Sequence, residues 1–197
     1  MSPPDPHDFE AMYAHNDAPW DIGRPQQAFK DAIAKGLLTG KVLDVGCGTG
    51  EHSLLAAAAG LEVTGVDLSS TAIGRARSKA RDRSINAQFL TADLTADPPP
   101  NVGGRFDTII DCGTFHVFTN AMRLPFQQFL TAHTKVGSRY SMLCFSDMAP
   151  GTSGPRRLSE ESIRAGFAPN WELTAIEESI IETTIPNVTI PAWFAVL

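Results

Sequence analysis

The sequence lacks the features that mark several classes of protein. It has only three cysteines, Cys47, Cys112 and Cys144, with no C-x-x-C spacing, so neither a disulfide framework nor a zinc site is indicated. No apolar run is long enough to cross a bilayer. The N-terminal residues "MSPPDPHDFEAMY" have neither the basic nor the apolar region of a secretory signal. These absences predict a cytoplasmic protein with reduced thiols, no bound metal and no membrane partner.

Positive charge is scarce as well. The 16 Lys and Arg residues face 22 Asp and Glu residues, which gives a net charge of -6 and a sequence pI near 5.3. The basic residues are scattered rather than clustered, so no nucleic-acid partner is indicated. With 43% hydrophobic residues in a chain of 197, we expect one domain over residues 1–197, acting as a monomer or a homodimer.

Strand-like and helix-like segments alternate along the chain. The hydrophobic pattern predicts helices at 9–14, 26–35, 51–59, 70–81, 124–134 and 159–166, and strands at 41–45, 62–66, 87–91, 106–111, 139–145, 171–179 and 188–196. Repeated βα units predict an α/β fold, a Rossmann-like doubly wound sheet with ligands at the carboxyl ends of its strands. No helix separates the last two of the seven strands, which predicts a reversed, antiparallel last strand.

A glycine-rich loop follows the first strand, in "VLDVGCGTGE" (42–51). The third glycine, Gly50, comes one residue too early for a dinucleotide fingerprint, and no Gly-Lys-Ser/Thr follows as in a phosphate-binding P-loop. Asp44 and Glu51 flank the loop. A phosphate about 4 Å from a carboxylate would be repelled by roughly 4 kcal/mol at an effective dielectric of 20. The N-terminus of a helix stabilises an anion by only about 0.3–1 kcal/mol. The loop therefore predicts a ligand without phosphate.

Acidic residues also stand at the ends of the next strands. Asp67 ends the second strand, Asp93 and Leu94 follow the third, and Asp111 ends the fourth. One such acid alone is more typical of a helix cap or a loop, but the combination predicts a positively charged ligand. S-adenosylmethionine carries a sulfonium and an ammonium group. We expect Asp67 to hold its ribose hydroxyls, Asp93 its adenine amine, and Asp111 to lie near its methionine part.

The strings "VLDVGCGTG", "VTGVDLS", "FLTADL" and "RFDTIIDCGTFHVF" resemble the successive motifs of class I S-adenosylmethionine-dependent methyltransferases. The resemblance covers residues 41–145 and implies that Gly46, Gly48 and Gly50 admit the amino-acid part of the cofactor, which leaves as S-adenosylhomocysteine. With neighbouring positions, the expected cofactor-binding residues are Trp20, Arg24, Asp44, Gly46, Cys47, Gly48, Gly50, Asp67, Leu68, Asp93, Leu94 and Asp111.

Four further strings narrow the resemblance: "PWDIGRPQ" (19–26), "GEHSLLAA" (50–57), "DCGTFHVF" (111–118) and "LCFSDMAPGTSGPRRLSEESI" (143–163). They are similar to the thiopurine and tellurite-resistance group of small-molecule methyltransferases, above all to bacterial heterocyclic toxin methyltransferases. This implies O-methylation of a hydroxyquinolone-type aromatic heterocycle, in detoxification. Two alternatives stay open: transfer to sulfur or a metalloid, and a cofactor-binding regulator that transfers nothing.

Candidate acceptor-side residues follow the fourth strand. Phe115, His116 and Phe118 are expected to bind the substrate, because aromatic walls suit flat heterocycles. His116 is the first candidate for a general base, and His15 and Asp17 are the second. An acidic N-hydroxy heterocycle would be ionised already and would need no base.

The N-terminal segment 1–36 is expected to form a helical lid over the cofactor. Within it, Trp20 is flanked by prolines in "PWDIGRP", which favours a shaped segment rather than a free tail. Arg24 would pair either with the carboxylate of S-adenosylmethionine or with a surface acid of the protein.

Overall fold

Strands and helices alternate along most of the chain, as the hydrophobic pattern predicts. The computed structural model describes residues 6–152 and 154–197. In this part of the chain the helices are α1 (Pro6–His15), α2 (Gln27–Ala34), α3 (Glu51–Ala58), α4 (Ser70–Asp82), α5 (Asn120–His133) and α6 (Glu160–Phe167). The strands are β1 (Lys41–Val45), β2 (Glu62–Asp67), β3 (Gln88–Thr91), β4 (Phe106–Cys112), β5 (Thr134–Phe145), β6 (Ala175–Glu182) and β7 (Thr189–Val196). A short 3₁₀ helix, Phe115–Val117, follows β4.

The described strands form one seven-stranded sheet in the order β3-β2-β1-β4-β5-β7-β6. Strands β1 to β5 pair in parallel, and β7 runs antiparallel to both β5 and β6. The predicted Rossmann-like sheet with a reversed last strand is confirmed. Because the strand order reverses between β1 and β4, the loops that follow these two strands diverge and leave a crevice at their carboxyl ends.

Several element boundaries differ from the predicted ones. Helix α5 begins at Asn120, because the Thr119 side chain accepts a hydrogen bond from Met122 N and caps it. Strand β5 begins at Thr134, which pairs with Phe106 ahead of a register shift. The predicted strand at 171–179 forms later, as β6. Local propensity does not reveal such shifts, since a cap and a strand partner are set by other parts of the chain.

Alternate side chains of β1 enter different apolar cores. Leu43 and Val45 join an aromatic-rich cluster that includes residues of α5 and α6, whereas Val42 joins a cluster that includes residues of α2 and α3. Burial on both faces explains why this strand reads as a continuous apolar run. Helix α1 packs against α4. Among the described helices, none has the length and apolar character that crossing a membrane requires.

Candidate active site

The glycine-rich loop 46–50 joins β1 to α3 beside the crevice. Gly48 has a φ of +53°, and a Cβ placed there would lie 2.6 Å from the hydroxyl of Tyr13. Gly46 also has a positive φ and is approached even more closely by the side chain of Thr114, which follows β4. At both positions only glycine suits the backbone and the close approach together. Gly50 is packed in the same way, against Ala76 and Phe89, and its expected contact with the cofactor stays a prediction.

Asp67 directs its carboxylate to the same loop. Oδ2 accepts a hydrogen bond from Gly48 N at 2.8 Å, and Oδ1 accepts one from Ser69 N at 2.8 Å. Burial raises the pKa of Asp67, although the bonds from Ser69 and Gly48 act to lower it. Each carboxylate oxygen can accept a further bond. Asp67 therefore has the capacity to receive two hydroxyl donors at the end of β2.

Asp44 and Asp111 lie deeper than the sequence predicts, and this corrects their expected contact with the cofactor. Asp44 accepts a hydrogen bond from Ser53 Oγ at 2.6 Å, and burial raises its pKa to about 7. Asp111 is fully buried and accepts bonds from Thr114 N, Phe115 N and the hydroxyl of Tyr140. Burial raises the pKa of Asp111 to about 6. Both acids organise the protein around the crevice instead of lining it.

Glu51 is also engaged by the protein rather than by the loop. Its carboxylate lies 2.8 Å from Lys79 Nζ and 2.9 Å from Arg83 Nη1. Burial acts to raise its pKa, but the bonds from Arg83 and Lys79 outweigh this and hold the pKa below its ordinary value. Asp44 and Glu51, the two acids from which the sequence excludes a phosphate ligand, are thus both bonded to other side chains of the protein. Asp67 carries the negative charge beside the loop.

Helix α1 and the residues after it lie over the glycine loop. The Tyr13 hydroxyl, which approaches Gly48, accepts a hydrogen bond from Trp20 Nε1 at 2.8 Å. Asp21 Oδ1 accepts one from Thr49 Oγ1 at 2.7 Å. Burial, with Asp67 nearby, raises the pKa of Tyr13 far above its ordinary value, so its phenol is neutral. Tyr13 was not among the residues predicted from the sequence, although its place in a predicted covering segment, seven residues before Trp20, is a usable signal.

Three other N-terminal candidates lie outside this arrangement. Arg24 makes two hydrogen bonds of 2.8 Å to the carboxylate of Glu182 in β6, so of the two alternatives the structure shows the surface acid. His15 and Asp17 are exposed. Their expected role as general bases stays a prediction.

The remaining cofactor candidates divide between surface and core. Asp93 is exposed, and its Oδ1 accepts bonds from Thr95 N and Thr95 Oγ1 at 2.8 and 2.7 Å. Leu68 is also exposed, whereas Leu94 and Cys47 are buried. Asp93 and Leu68 follow adjacent parallel strands, so they lie at the same edge of the sheet as Asp67.

Phe115, in the 3₁₀ helix after β4, and Phe118, which directly follows that helix, lie in the protein interior. Phe115 has no exposed surface, and its ring centroid lies 4.5 Å from that of Phe167. Phe118 is buried against Phe126, at 4.9 Å between centroids. These contacts correct the expectation that Phe115 and Phe118 line an acceptor pocket, because both are core residues that hold the 3₁₀ helix in place.

His116 is buried as well. Its Nδ1 accepts a hydrogen bond from Phe145 N at 3.0 Å, and its ring packs edge-on against the ring of Phe145 at 4.7 Å. Burial lowers the pKa of His116 to about 3, and Arg157 adds to this effect. A neutral imidazole of such low basicity, with one nitrogen already accepting a bond, is a poor general base at neutral pH.

Comparison with known proteins identifies the family. Residues 42–137 match the family described as "Methyltransferase domain". The chain is 34% identical over 161 residues to the 2-heptyl-1-hydroxyquinolin-4(1H)-one methyltransferase of Mycobacteroides abscessus, covering 80% of this chain and 70% of that protein.

Many solved structures share the fold, among them the following two. One, concerned with the conversion of a disulfide bond into a thioacetal group during echinomycin biosynthesis, superposes with a TM-score of 0.86 at 34% identity, covering 96% of this chain and 90% of that one. The other is the magnesium protoporphyrin IX methyltransferase of Synechocystis with bound S-adenosylmethionine, with a TM-score of 0.62 at 23% identity, covering 85% and 75%.

The residues present fit S-adenosylmethionine. The glycine-rich loop lies beside the carboxylate of Asp67, which has acceptor capacity to spare. The fold, the glycine-rich loop and the related proteins all indicate the same family. The chain belongs to the class I S-adenosylmethionine-dependent methyltransferases, and S-adenosylmethionine is its cofactor.

Proposed function

We propose that this enzyme methylates an oxygen of a small aromatic heterocycle of the hydroxyquinolone type, as a single domain that detoxifies such compounds in the cytoplasm. The observation that carries the proposal is the similarity to a hydroxyquinolone methyltransferase over most of the chain. It rests on relatedness of sequence, and the geometry of the site supports it in the ways that follow.

The cofactor side has the groups that binding requires. Bound S-adenosylmethionine supplies a methyl group on a positively charged sulfur. Asp67 would accept hydrogen bonds from the ribose hydroxyls, since its oxygens at the end of β2 have capacity left after the bonds from Gly48 N and Ser69 N. Gly46 and Gly48 would lie against the amino-acid part, and the exposed Asp93 and Leu68 are accessible to the adenine.

The N-terminal residues would act as a cover. Tyr13 and Trp20 lie across the glycine loop and are joined to each other, and Glu10 anchors α1 to α4 through Thr71, whose Oγ1 donates to Glu10 Oε1 at 2.6 Å. A cover of this kind excludes water from the reacting groups and orients the ligand. We propose that the described part of segment 1–36 has this lid function.

The acceptor side lies between the 3₁₀ helix and α5. Val117 and Met122 are partly buried and pack against the aromatic core, which gives an apolar surface beside the crevice. His116, the first candidate base on this side, is neutral and internally bonded, so it is not available to remove a proton from the acceptor. The arrangement favours an acceptor that is acidic enough to ionise without help.

A transfer assay tests the proposal. Isotopically labelled S-adenosylmethionine is incubated with hydroxyquinolones, phenols, catechols, thiopurines, simple thiols and tellurite, and the products are identified by mass spectrometry. A labelled methyl group on the oxygen of a hydroxyquinolone is the expected result. The Asp67→Ala variant is the control, because loss of its product shows that the reaction uses this site.

A sulfur acceptor is the second candidate function. It is favoured by the likeness to the structure concerned with thioacetal formation from a disulfide. Preferential labelling of thiols or thiopurines would establish it and overturn the oxygen acceptor. Cofactor binding by calorimetry without any methylated product would contradict both and point to a regulator.

A further inference from the structure

Among the residues that the structure describes, Arg123 has neither a hydrogen-bonding partner nor an acid that pairs with it. It lies in the first turn of α5, with its guanidinium carbon 4.5 Å from the ring centroid of Phe115. Within the described residues, its Nε and Nη2 are buried and have no hydrogen-bond partner. Its Nη1 lies near Gly166 of α6 and makes no bond either. Other arginines show the contrast: Arg24, Arg83 and Arg164 each pair with a glutamate at 2.8 or 2.9 Å.

The surroundings of Arg123 add positive charge instead of neutralising it. Burial lowers the pKa of Arg123, and Arg156 adds to this effect, yet an arginine remains protonated. Unpaired N–H groups of a buried cation lower the stability of a fold. Charged groups with perturbed pKa values in clefts often belong to functional sites. An arginine without a partner is retained most readily where a ligand pairs with it.

Arg156 is held next to the same turn. Its Nη1 donates to Asn120 Oδ1 at 2.7 Å, at the first residue of α5, and its backbone N donates to His116 O at 3.0 Å. Arg123 and Arg156 therefore flank the start of α5, directly after the 3₁₀ helix at the carboxyl end of β4. This is the side of the crevice on which the proposed function places the acceptor.

We propose that Arg123 and Arg156 form an anion-binding site for the acceptor, and that the acceptor is a heteroaromatic oxyanion. The inference rests on the proposed function and names the charge state of its substrate. A guanidinium stacked on an aromatic ring presents its N–H groups in a fixed plane and pairs with oxyanions through two bonds. Neutral heterocycles would leave the cation as it is, without a partner.

The chemistry balances without a base. The ionised oxygen contributes its electron pair to the new bond with the methyl carbon, and the old carbon–sulfur bond breaks with its pair remaining on sulfur. No proton leaves, the product is a neutral methyl ether, and the sulfur loses its positive charge. Pairing with arginine also selects the ionised form of the acceptor, which explains how the site works with His116 buried and neutral.

Arg123→Met tests this inference, with Arg81→Met, at an exposed position on α4, as the control that removes an equal charge elsewhere. The acceptors are 2-heptyl-1-hydroxyquinolin-4(1H)-one and its less acidic analogue without the N-hydroxyl group. For the acidic acceptor, Arg123→Met should raise KM about tenfold to a hundredfold, since hydrogen bonds to charged groups are lost. The Kd for S-adenosylmethionine should stay unchanged in both variants.

Stability gives a second readout that a merely structural arginine would not produce. Because two nitrogens of the guanidinium group, Nε and Nη2, are buried without hydrogen-bond partners, Arg123→Met should melt at the wild-type temperature or above it. Arg123→Lys should restore part of the affinity. If Arg123→Met does not fold, Arg156→Met replaces it, since Arg156 is exposed, and the same rise in KM is expected.

Wild-type KM values in Arg123→Met and Arg156→Met, with methylation intact, would overturn the anion site and leave the proposed function standing. If wild type methylates no hydroxyquinolone, the proposed function fails, and the anion site is then judged by calorimetric binding of the acidic acceptor in the presence of S-adenosylhomocysteine. Weaker binding to Arg123→Met than to wild type would support it, and equal or undetectable binding to both would overturn it.

Discussion

Gly48 N donates a hydrogen bond of 2.8 Å to Asp67 Oδ2. This bond ties the loop after β1 to the acid that ends β2, so the parts of the crevice that belong to adjacent strands hold each other in position. Ser69 N fixes the other oxygen at 2.8 Å. The carboxylate is therefore oriented before any ligand arrives, which lowers the entropy that binding must overcome.

Replacing Asp67 by Ala should weaken binding of S-adenosylmethionine by about 1.5–3 kcal/mol, the range for hydrogen bonds to a charged group. Calorimetry on the purified variant measures this. Asp82→Ala, at an exposed position near the end of α4, is the control and should bind normally. Because the substitution also leaves Gly48 N and Ser69 N without their acceptor, Asp67→Asn is measured alongside, and an unchanged Kd in both variants would rule out Asp67 as the ribose ligand.

Gly48→Ala should weaken cofactor binding and destabilise the fold by about 1 kcal/mol or more, since its φ is +53° and a Cβ would lie 2.6 Å from the Tyr13 hydroxyl. Gly36→Ala isolates the backbone effect, because Gly36 has a φ of +67° and nothing within 4 Å of its Cβ position. Denaturant unfolding should show a larger loss at Gly48, and Tyr13→Phe should recover part of it. Equal losses at the two glycines would mean that Tyr13 does not press on the loop.

His116 should affect stability in acid rather than the pH dependence of the rate. Its folded-state pKa is about 3, whereas an unfolded histidine has a pKa near 6.5. As pH falls below about 6.5, His116 binds a proton in the unfolded chain but not in the folded protein. The free energy of unfolding therefore falls by about 1.4 kcal/mol per pH unit down to about pH 3. The stabilising effect of neutral pH is thus lost on acidification.

Unfolding midpoints of wild type, His116→Ala and the exposed His15→Ala, measured from pH 7.5 to 5, check this. His116→Ala should be less stable throughout, because Phe145 N loses its acceptor, but its stability should fall less steeply with acid. A kcat profile of wild type with an ionisation near pH 6.5 that His116→Ala abolishes would contradict the structural role and restore His116 as the base.

Asp44→Asn should stabilise the protein at alkaline pH. The folded-state pKa of Asp44 is about 7 against about 3.9 in an unfolded chain. Above pH 7 both states are ionised and wild type bears the whole cost of a buried charge. Below that pH the folded state takes up the proton first, and the cost disappears as pH approaches 4.

The variant should therefore exceed wild type by about 1–4 kcal/mol at pH 8 and lose most of this advantage by pH 5, as measured by urea unfolding at both values. Asp31→Asn, at an exposed position on α2, should show no such change. A constant difference between Asp44→Asn and wild type at the two pH values would show that Asp44 does not titrate in this range.

The sequence by itself determined the architecture and the identity of the cofactor. Hydrophobic runs of strand length followed by amphipathic segments predict the parallel sheet, and the missing helix before β7 predicts its reversal. The glycine loop and Asp67 follow from the same logic, because the carboxyl ends of parallel strands meet at one edge. All of these depend on periodicity and spacing, which are local properties of a chain.

Only the tertiary structure decided which way individual side chains point. Arg24 meets Glu182 across 158 positions of sequence, Glu51 meets Arg83 from another helix, and Arg123 is left with an aromatic ring and no anion. Spacing along a strand fixes where an acid stands but not whether a distant residue neutralises it. Burial and partner choice are set by contacts between elements far apart in the chain, and these depend on the packing of the whole fold.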